Sequence, residues 1–261
     1  MSENMEERDE LVSNAILAEQ AERYEDMAKA MKELVEKGDD ISKDERNVLS
    51  IAYKNIVGER RNAWRIVASI EKAYDDSDIR KKTALDYLER IASEQKTICE
   101  EVLSLLEHFL IPNAKSNESK IFYLKMKGDY FRYLSEVKFA NSVVASHEKE
   151  VKEAQKAYEE AYSISKEEMP AMDPIRLGLA LNYSVFHYEI LNQPEKACEL
   201  ASSAFDLAMS VELGIDDSAG PDDNQKDAML IMQLLRDNLT LWTSEAISDE
   251  SQATDNPENN E

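Results

Sequence analysis

Apolar residues recur at i, i+3, i+4 and i+7 along nearly the whole chain, the spacing that gathers side chains on one face of an α-helix. Leu177, Leu181 and Val185 form one such stripe, and Leu234, Leu241 and Trp242 form another. The breaks in the pattern carry helix-boundary signals. Gly38 closes an early segment, and Ser42 with Glu45 forms an S-x-x-E capping box that opens a long helix. Asp75-Asp76-Ser77-Asp78 ends that helix and caps the next, and Pro112-Asn113 stops the one after. Asp173-Pro174 places a cap before a proline at the first helical position, and Gln193-Pro194 does something similar. Gly214 through Pro221 reads as a loop. Short connections of this kind predict antiparallel neighbours, roughly nine helices in an all-α fold. Ala154, Tyr158 and Ala161 echo Ala197, Ala201 and Ala204-Phe205, too few copies to define a repeat.

Composition agrees. Six glycines and six prolines in 261 residues are too few for the turns of a sandwich or a βαβ fold, and good helix formers dominate. The chain is long enough to bury a sizeable core in one large domain or two small ones. A net charge of −23 argues against nucleic acid as the main partner and against docking on anionic membranes. Cys99 and Cys198 lie in apolar helical runs and read as reduced thiols of a cytoplasmic protein. The start, MSENMEERDE, is acidic and polar, unlike a signal peptide, and no apolar run approaches the ~20 residues that span a bilayer. From Ser244 onward acids and polar residues continue without a Lys or Arg. The expected organisation is therefore a helical domain over 1–243 and a disordered acidic tail over 244–261.

Glycine within a helix costs about 1 kcal/mol relative to alanine, so its positions carry information. Gly58 lies four residues after Lys54 and three before Arg61, and Gly128 lies three after Lys125 and four before Arg132. Helical spacing gives two separate helices a cation–glycine–cation face, which in an acidic protein looks like a prepared anion site. The same glycines would equally serve close helix packing, and spacing alone does not decide. The later apolar stripes read as core, although Asn182 and Asn238 are interleaved with them and could hydrogen-bond an extended peptide.

The segments LAEQAERYEDM (17–27), ERNVLSIAYKNIVGERR (45–61), FYLKMKGDYFRYLSE (122–136), PIRLGLALNYSVFHYEILNQPEKAC (174–198) and LIMQLLRDNLTLW (230–242) closely resemble the 14-3-3 family, in the expected order and over nearly the whole chain. The resemblance implies nine antiparallel helices per protomer and a cup-shaped dimer with one amphipathic groove per subunit. It implies an adaptor for phosphoserine or phosphothreonine peptides, cytoplasmic and compatible with the nucleus, that regulates clients by sequestration, conformational clamping or scaffolding. On that resemblance Lys54, Arg61, Arg132 and Tyr133 hold the phosphate. The groove's polar side is Lys125, Asn182, Glu189 and Asn238; Leu181, Val185, Leu234 and Leu241 form its apolar wall, with Trp242 as a further groove residue. Leu17 and Ala21 form the dimer seam under Tyr87, while Arg23 pairs with Glu94, and Asp26 with Arg90, across a homo- or heterodimer.

The chain departs from the family between Tyr133 and Tyr158, with Lys138 to Val144 unmatched, and in the longer loop from Gly214 to Lys226. Asp216, Asp217, Asp222 and Asp223 there lack the spacing of a calcium loop, so no metal or cofactor is expected. Ala63, Gln193 and Ala246 stand where some relatives carry a modifiable residue. An enzyme is the first competing class. Leu105, Val144 and Ser184 stand three before His108, His147 and His187, so the Glu-x-x-His pairs of a di-iron bundle are absent, as are nucleotide-binding glycine motifs. The second is a generic helical-repeat scaffold that binds unmodified peptides.

Overall fold

The computed structural model describes residues 2–38, 40–137, 147–212 and 222–254. Among them there is no strand, and the fold is all-α with nine helices. They are α1 (Ser2–Gln20), α2 (Tyr24–Glu36), α3 (Lys43–Glu71), α4 (Ile79–Leu105), α5 (Asn117–Ser135), α6 (Glu148–Glu168), α7 (Pro174–Glu189), α8 (Pro194–Glu212) and α9 (Asp223–Thr254). α4 continues through a π-helical turn, Leu106–Leu110, into Ile111–Asn113.

The expected boundary signals act as read. The Ser42 hydroxyl accepts from the Glu45 N–H at 3.2 Å while the Glu45 carboxylate accepts from the Ser42 N–H at 2.6 Å, satisfying two otherwise orphaned donors at the start of α3. Asp78 accepts from the Arg80 N–H at 2.8 Å to cap α4, and Asp173 accepts from the Ile175 N–H at 2.8 Å to cap α7. Past the end of α2, Gly38 adopts φ +83, a left-handed conformation that burdens any side chain. Its N–H donates to the Val35 carbonyl, and its own carbonyl accepts from the Asn113 side chain at 3.2 Å.

The chain forms two compact units, Met1–Ala157 and Tyr158–Glu261. In the first, α3 packs against α4, α1 against α2, and α4 against α5. Met27, Met31, Leu34, Tyr53, Leu106 and Tyr123 fill its core. Two of its acids, the buried Glu45 and the partly buried Glu101, are paired. Glu45 accepts from Arg8 at 2.9 and 2.6 Å, and Glu101 accepts from Lys32 at 2.6 Å and from the Tyr53 hydroxyl at 2.7 Å. Burial opposes ionisation of both carboxyls, but these donors outweigh it and hold them below the ordinary carboxylate range.

In the second unit α7, α8 and α9 pack on one another around Leu177, Met232, Leu235 and a set of alanines, Ala197, Ala201, Ala208 and Ala228. Tyr158 of α6 stacks on Tyr183 at 5.4 Å and meets Phe186 at the same distance. Ala161, Ala197 and Ala201 are fully buried, so the echo seen in the sequence is a helix-packing pattern.

α9 runs past Ser244, where a tail was expected to begin, as far as Thr254. No Gly or Pro occurs between Pro221 and Pro257, so nothing local ends the helix at Ser244. Residues 255–261, the loop at Gly214–Pro221 and the stretch Lys138–Val144 lie outside the described residues. No helix among the described residues is long and apolar enough to cross a membrane. Cys99 and Cys198 are both free thiols.

Candidate functional site

The capping box fixes where α3 begins, and its period then aligns Lys54, Gly58 and Arg61 along one face. A Cβ placed on Gly58 would meet nothing within 4 Å, so this glycine is not there to let another helix approach. On α5 the matching Gly128 is buried.

Arg61 and Arg132 meet on a single carboxylate. Arg61 donates through Nε to one Glu136 oxygen at 2.9 Å, with its terminal nitrogen 2.7 Å from the same oxygen. Arg132 donates to the other oxygen at 3.2 Å. Lys125 donates to Asp129 at 2.8 Å, and Arg132 lies 3.7 Å from the second Asp129 oxygen. The Arg132 side chain is only 6% exposed, a depth that a guanidinium tolerates when paired. Lys54 is exposed and makes no ion pair among the described residues.

Tyr133 sits against both arginines. The Arg61 guanidinium lies 4.4 Å from its ring centroid and that of Arg132 4.7 Å, within cation–π range. The Tyr130 ring meets it edge-on at 5.5 Å, and the Tyr133 carbonyl accepts from the Gln95 amide at 3.0 Å, tying α5 to α4. Burial first, and then the charge of Asp129, raises the Tyr133 hydroxyl pKa against the opposing pull of Arg132, Arg61 and Lys125. At neutral pH it is therefore protonated and able to donate. Behind the site, burial pushes the Cys99 thiol up to about 12, with the Glu136 charge adding to the effect.

Of the four expected phosphate ligands, Arg61 and Arg132 thus both lie against Tyr133, and Lys54 shares a helix face with Arg61. The sequence reading missed Asp129, Glu136 and Gln95. The first two carry a local signal, since each stands four residues after a cation of the site, the spacing of a helical ion pair. Gln95 carries none.

The residues expected in the groove divide by exposure. On α9, Leu234 and Leu241 are 44% and 52% exposed, and Asn238 between them is partly exposed. On α7, Leu181 and Val185 pack their inner sides on the core of the second unit, Asn182 is partly exposed and Glu189 is exposed. Trp242 differs: it is 5% exposed and stacks on Tyr188 at 4.7 Å with the rings 12° from parallel. Its indole is part of the core, one position round the helix from the exposed Leu241. Tyr188 donates its hydroxyl to Glu245.

The residues expected at the dimer seam are surface residues of the single chain. Leu17 is 62% exposed, Tyr87 is 51% exposed, and Ala21 is exposed as well. Within the protomer Arg23 pairs with Asp26 and Arg90 with Glu94 at 3.3 Å, while Arg60 reaches Glu25 at 2.8 Å. Ala63 lines a hollow with Arg60, Tyr87, Arg90 and Glu94. Among the described residues no group of three or more His, Cys, Asp or Glu could hold a metal ion.

Fold and site together define an all-helical protein in which arginines from two helices cluster around one carboxylate and one tyrosine ring. The family model for 14-3-3 protein matches residues 14–243. The chain is 55% identical over 247 residues to 14-3-3 protein beta/alpha of Homo sapiens, covering 95% of this chain and 97% of that protein. It is 54% identical over 245 residues to 14-3-3 protein beta/alpha-A of Xenopus laevis, covering 94% and 97%. Its identity to 14-3-3 protein theta of Mus musculus is 54% over 253 residues, 97% of this chain and all of that protein. The chain belongs to the 14-3-3 family. Proteins of this family are adaptors that bind phosphorylated clients and dimerise; they are not enzymes.

Proposed function

We propose that this chain binds phosphoserine or phosphothreonine in extended peptide segments and regulates the proteins that carry them, by sequestration, clamping or scaffolding, in the cytoplasm and nucleus. One observation carries the reading: Arg61 of α3 and Arg132 of α5 converge on the same carboxylate beside the Tyr133 ring. Two guanidiniums so placed suit a phosphate, which brings nearly two negative charges and three acceptor oxygens. Lys54 adds a point charge and the Tyr133 hydroxyl a donor. Each charge-assisted bond contributes about 1.5–3 kcal/mol. In this reading Lys125, Asn182, Glu189 and Asn238 contact the peptide's polar groups, while Leu181, Val185, Leu234 and Leu241 receive its apolar side chains. Trp242 supports Leu241 from the core. Leu17, Ala21 and Tyr87 form a homo- or heterodimer seam, bordered by Arg23, Asp26, Arg90 and Glu94 re-paired across the two-fold axis.

Titration calorimetry with one peptide in phosphorylated and unphosphorylated form tests this. The phosphorylated peptide is expected to bind and its partner to bind far more weakly. Equal affinities would instead support a scaffold for unmodified peptides, and no binding by either would remove the phosphate site altogether.

A further inference from the structure

We propose that Glu136 is a positioning residue of the phosphate site: its carboxylate holds the guanidiniums of Arg61 and Arg132 side by side for a common ligand. This rests on the phosphopeptide reading. The geometry is specific. Glu136 gives one oxygen to Arg61 at 2.9 and 2.7 Å and the other to Arg132 at 3.2 Å, so one planar group bridges side chains from two helices. Both guanidiniums also lie against the Tyr133 ring, which removes a further degree of freedom. Arg61 and Glu136 are each about four-fifths buried and Arg132 more deeply still, so water competes poorly for these bonds. An arginine presents its donors in a rigid planar fork, and the Glu136 carboxylate fixes the Arg61 fork through Nε and one terminal nitrogen. Both guanidiniums are held in place before a ligand arrives, which reduces the ordering cost of binding.

The obvious rival is that Glu136 competes with the ligand. A carboxylate beside an anion site repels a dianion, so its removal would tighten binding. The two roles therefore predict opposite signs for the same substitution. Glu136→Ala is expected to weaken phosphopeptide binding about tenfold, and Glu136→Gln, which keeps one acceptor oxygen, to recover part of that loss. Glu136→Ala binding as tightly as the wild type, or more tightly, overturns the proposal and makes the residue a competitor. A failure of the phosphopeptide reading shows separately, because the wild-type protein would then not distinguish phosphorylated from unphosphorylated peptide. Nuclear magnetic resonance of the arginine Nε–H groups in the ligand-free, full-length protein covers that case and any loss of stability. The Arg61 Nε–H signal is expected to be slow to exchange in the wild type and averaged in Glu136→Ala, with the methyl spectrum of the core unchanged. An Arg61 signal that keeps its position and exchange rate in the variant overturns the proposal whatever the peptide does.

Discussion

The Arg61 guanidinium lies 4.4 Å from the centroid of the Tyr133 ring, so a cation of α3 is fixed against an aromatic of α5. Replacing Arg61 by Ala removes a cation that is partly exposed and leaves the core intact. Phosphopeptide affinity should fall at least about tenfold. Arg132→Ala should match that loss and also lower the melting temperature, because it strips a partner from the buried Asp129 and the partly buried Glu136. Lys54→Glu should be worse for binding and neutral for stability, since Lys54 is exposed. Calorimetric titration with parallel thermal melts checks all three, and full affinity in a folded Arg61→Ala protein would remove the site assignment.

Gly58 has open space beside it in the middle of α3. Gly58→Ala should therefore stabilise the protein by about 0.5–1 kcal/mol through helix propensity alone. If the glycine serves a ligand that comes close to the helix backbone, the same change should weaken phosphopeptide binding. A stabilised variant with unaltered affinity would leave Gly58 without a role in the site.

Trp242 and Leu241 are neighbours in sequence with opposite surroundings. Trp242→Ala should cost about 3–5 kcal/mol, because the indole stacks on Tyr188 in the core. Leu241→Ala should change stability by no more than about 0.5 kcal/mol. It should still weaken binding of peptides with an apolar flank. Urea denaturation separates the two, and a midpoint drop for Leu241→Ala as large as that for Trp242→Ala would mean that Leu241 is core too.

Reversing Asp26 and Glu94 to Lys in one protein should shift it toward monomer in sedimentation experiments, since each proposed pair occurs twice across a two-fold axis. Both acids are paired within the protomer to Arg23 and Arg90, so only the partner-exchanged arrangement makes them interface residues. Ala63→Glu, which puts a charge into the hollow beside Tyr87, should act in the same direction. A charge-reversed protein that sediments as a tight dimer would place the interface elsewhere.

His187 is buried on α7, with Nδ1 2.9 Å from the Gln193 side chain. Burial lowers its pKa below the ordinary 6.5, with the Gln193 contact opposing the shift only in part. The unfolded chain therefore takes up its proton first. Stability should be level above pH 6.5 and fall as the pH drops from there toward the lowered folded value. A His187→Gln variant should lose that slope while keeping a polar contact to the α7–α8 turn. Urea midpoints at a series of pH values test it, and an identical slope in the variant would assign the effect to other groups.

Much of this molecule is legible one helix at a time. The capping box at Ser42 and Glu45, the caps at Asp78 and Asp173, and the turn at Gly38 depend on residues a few positions apart, and each appears in the structure as expected. The alignment of Lys54 with Arg61, and of Lys125 with Arg132, follows from 3.6 residues per turn and needs no tertiary information. Resemblance to relatives supplied the family.

Periodicity reports which residues share a face of their own helix; it does not report which faces meet. That Arg61 would close on the carboxylate that Arg132 meets within its own helix depended on α3 and α5 both packing against α4, contacts distant in sequence. The same limit applies at the end of the chain. Leu241 and Trp242 are adjacent apolar residues on one helix, and only the positions of α7 and α8 put the indole in the core while leaving the leucine exposed. Gly58 and Gly128 occupy equivalent places in their local patterns, yet one is open and the other buried, because burial depends on what the rest of the chain brings alongside.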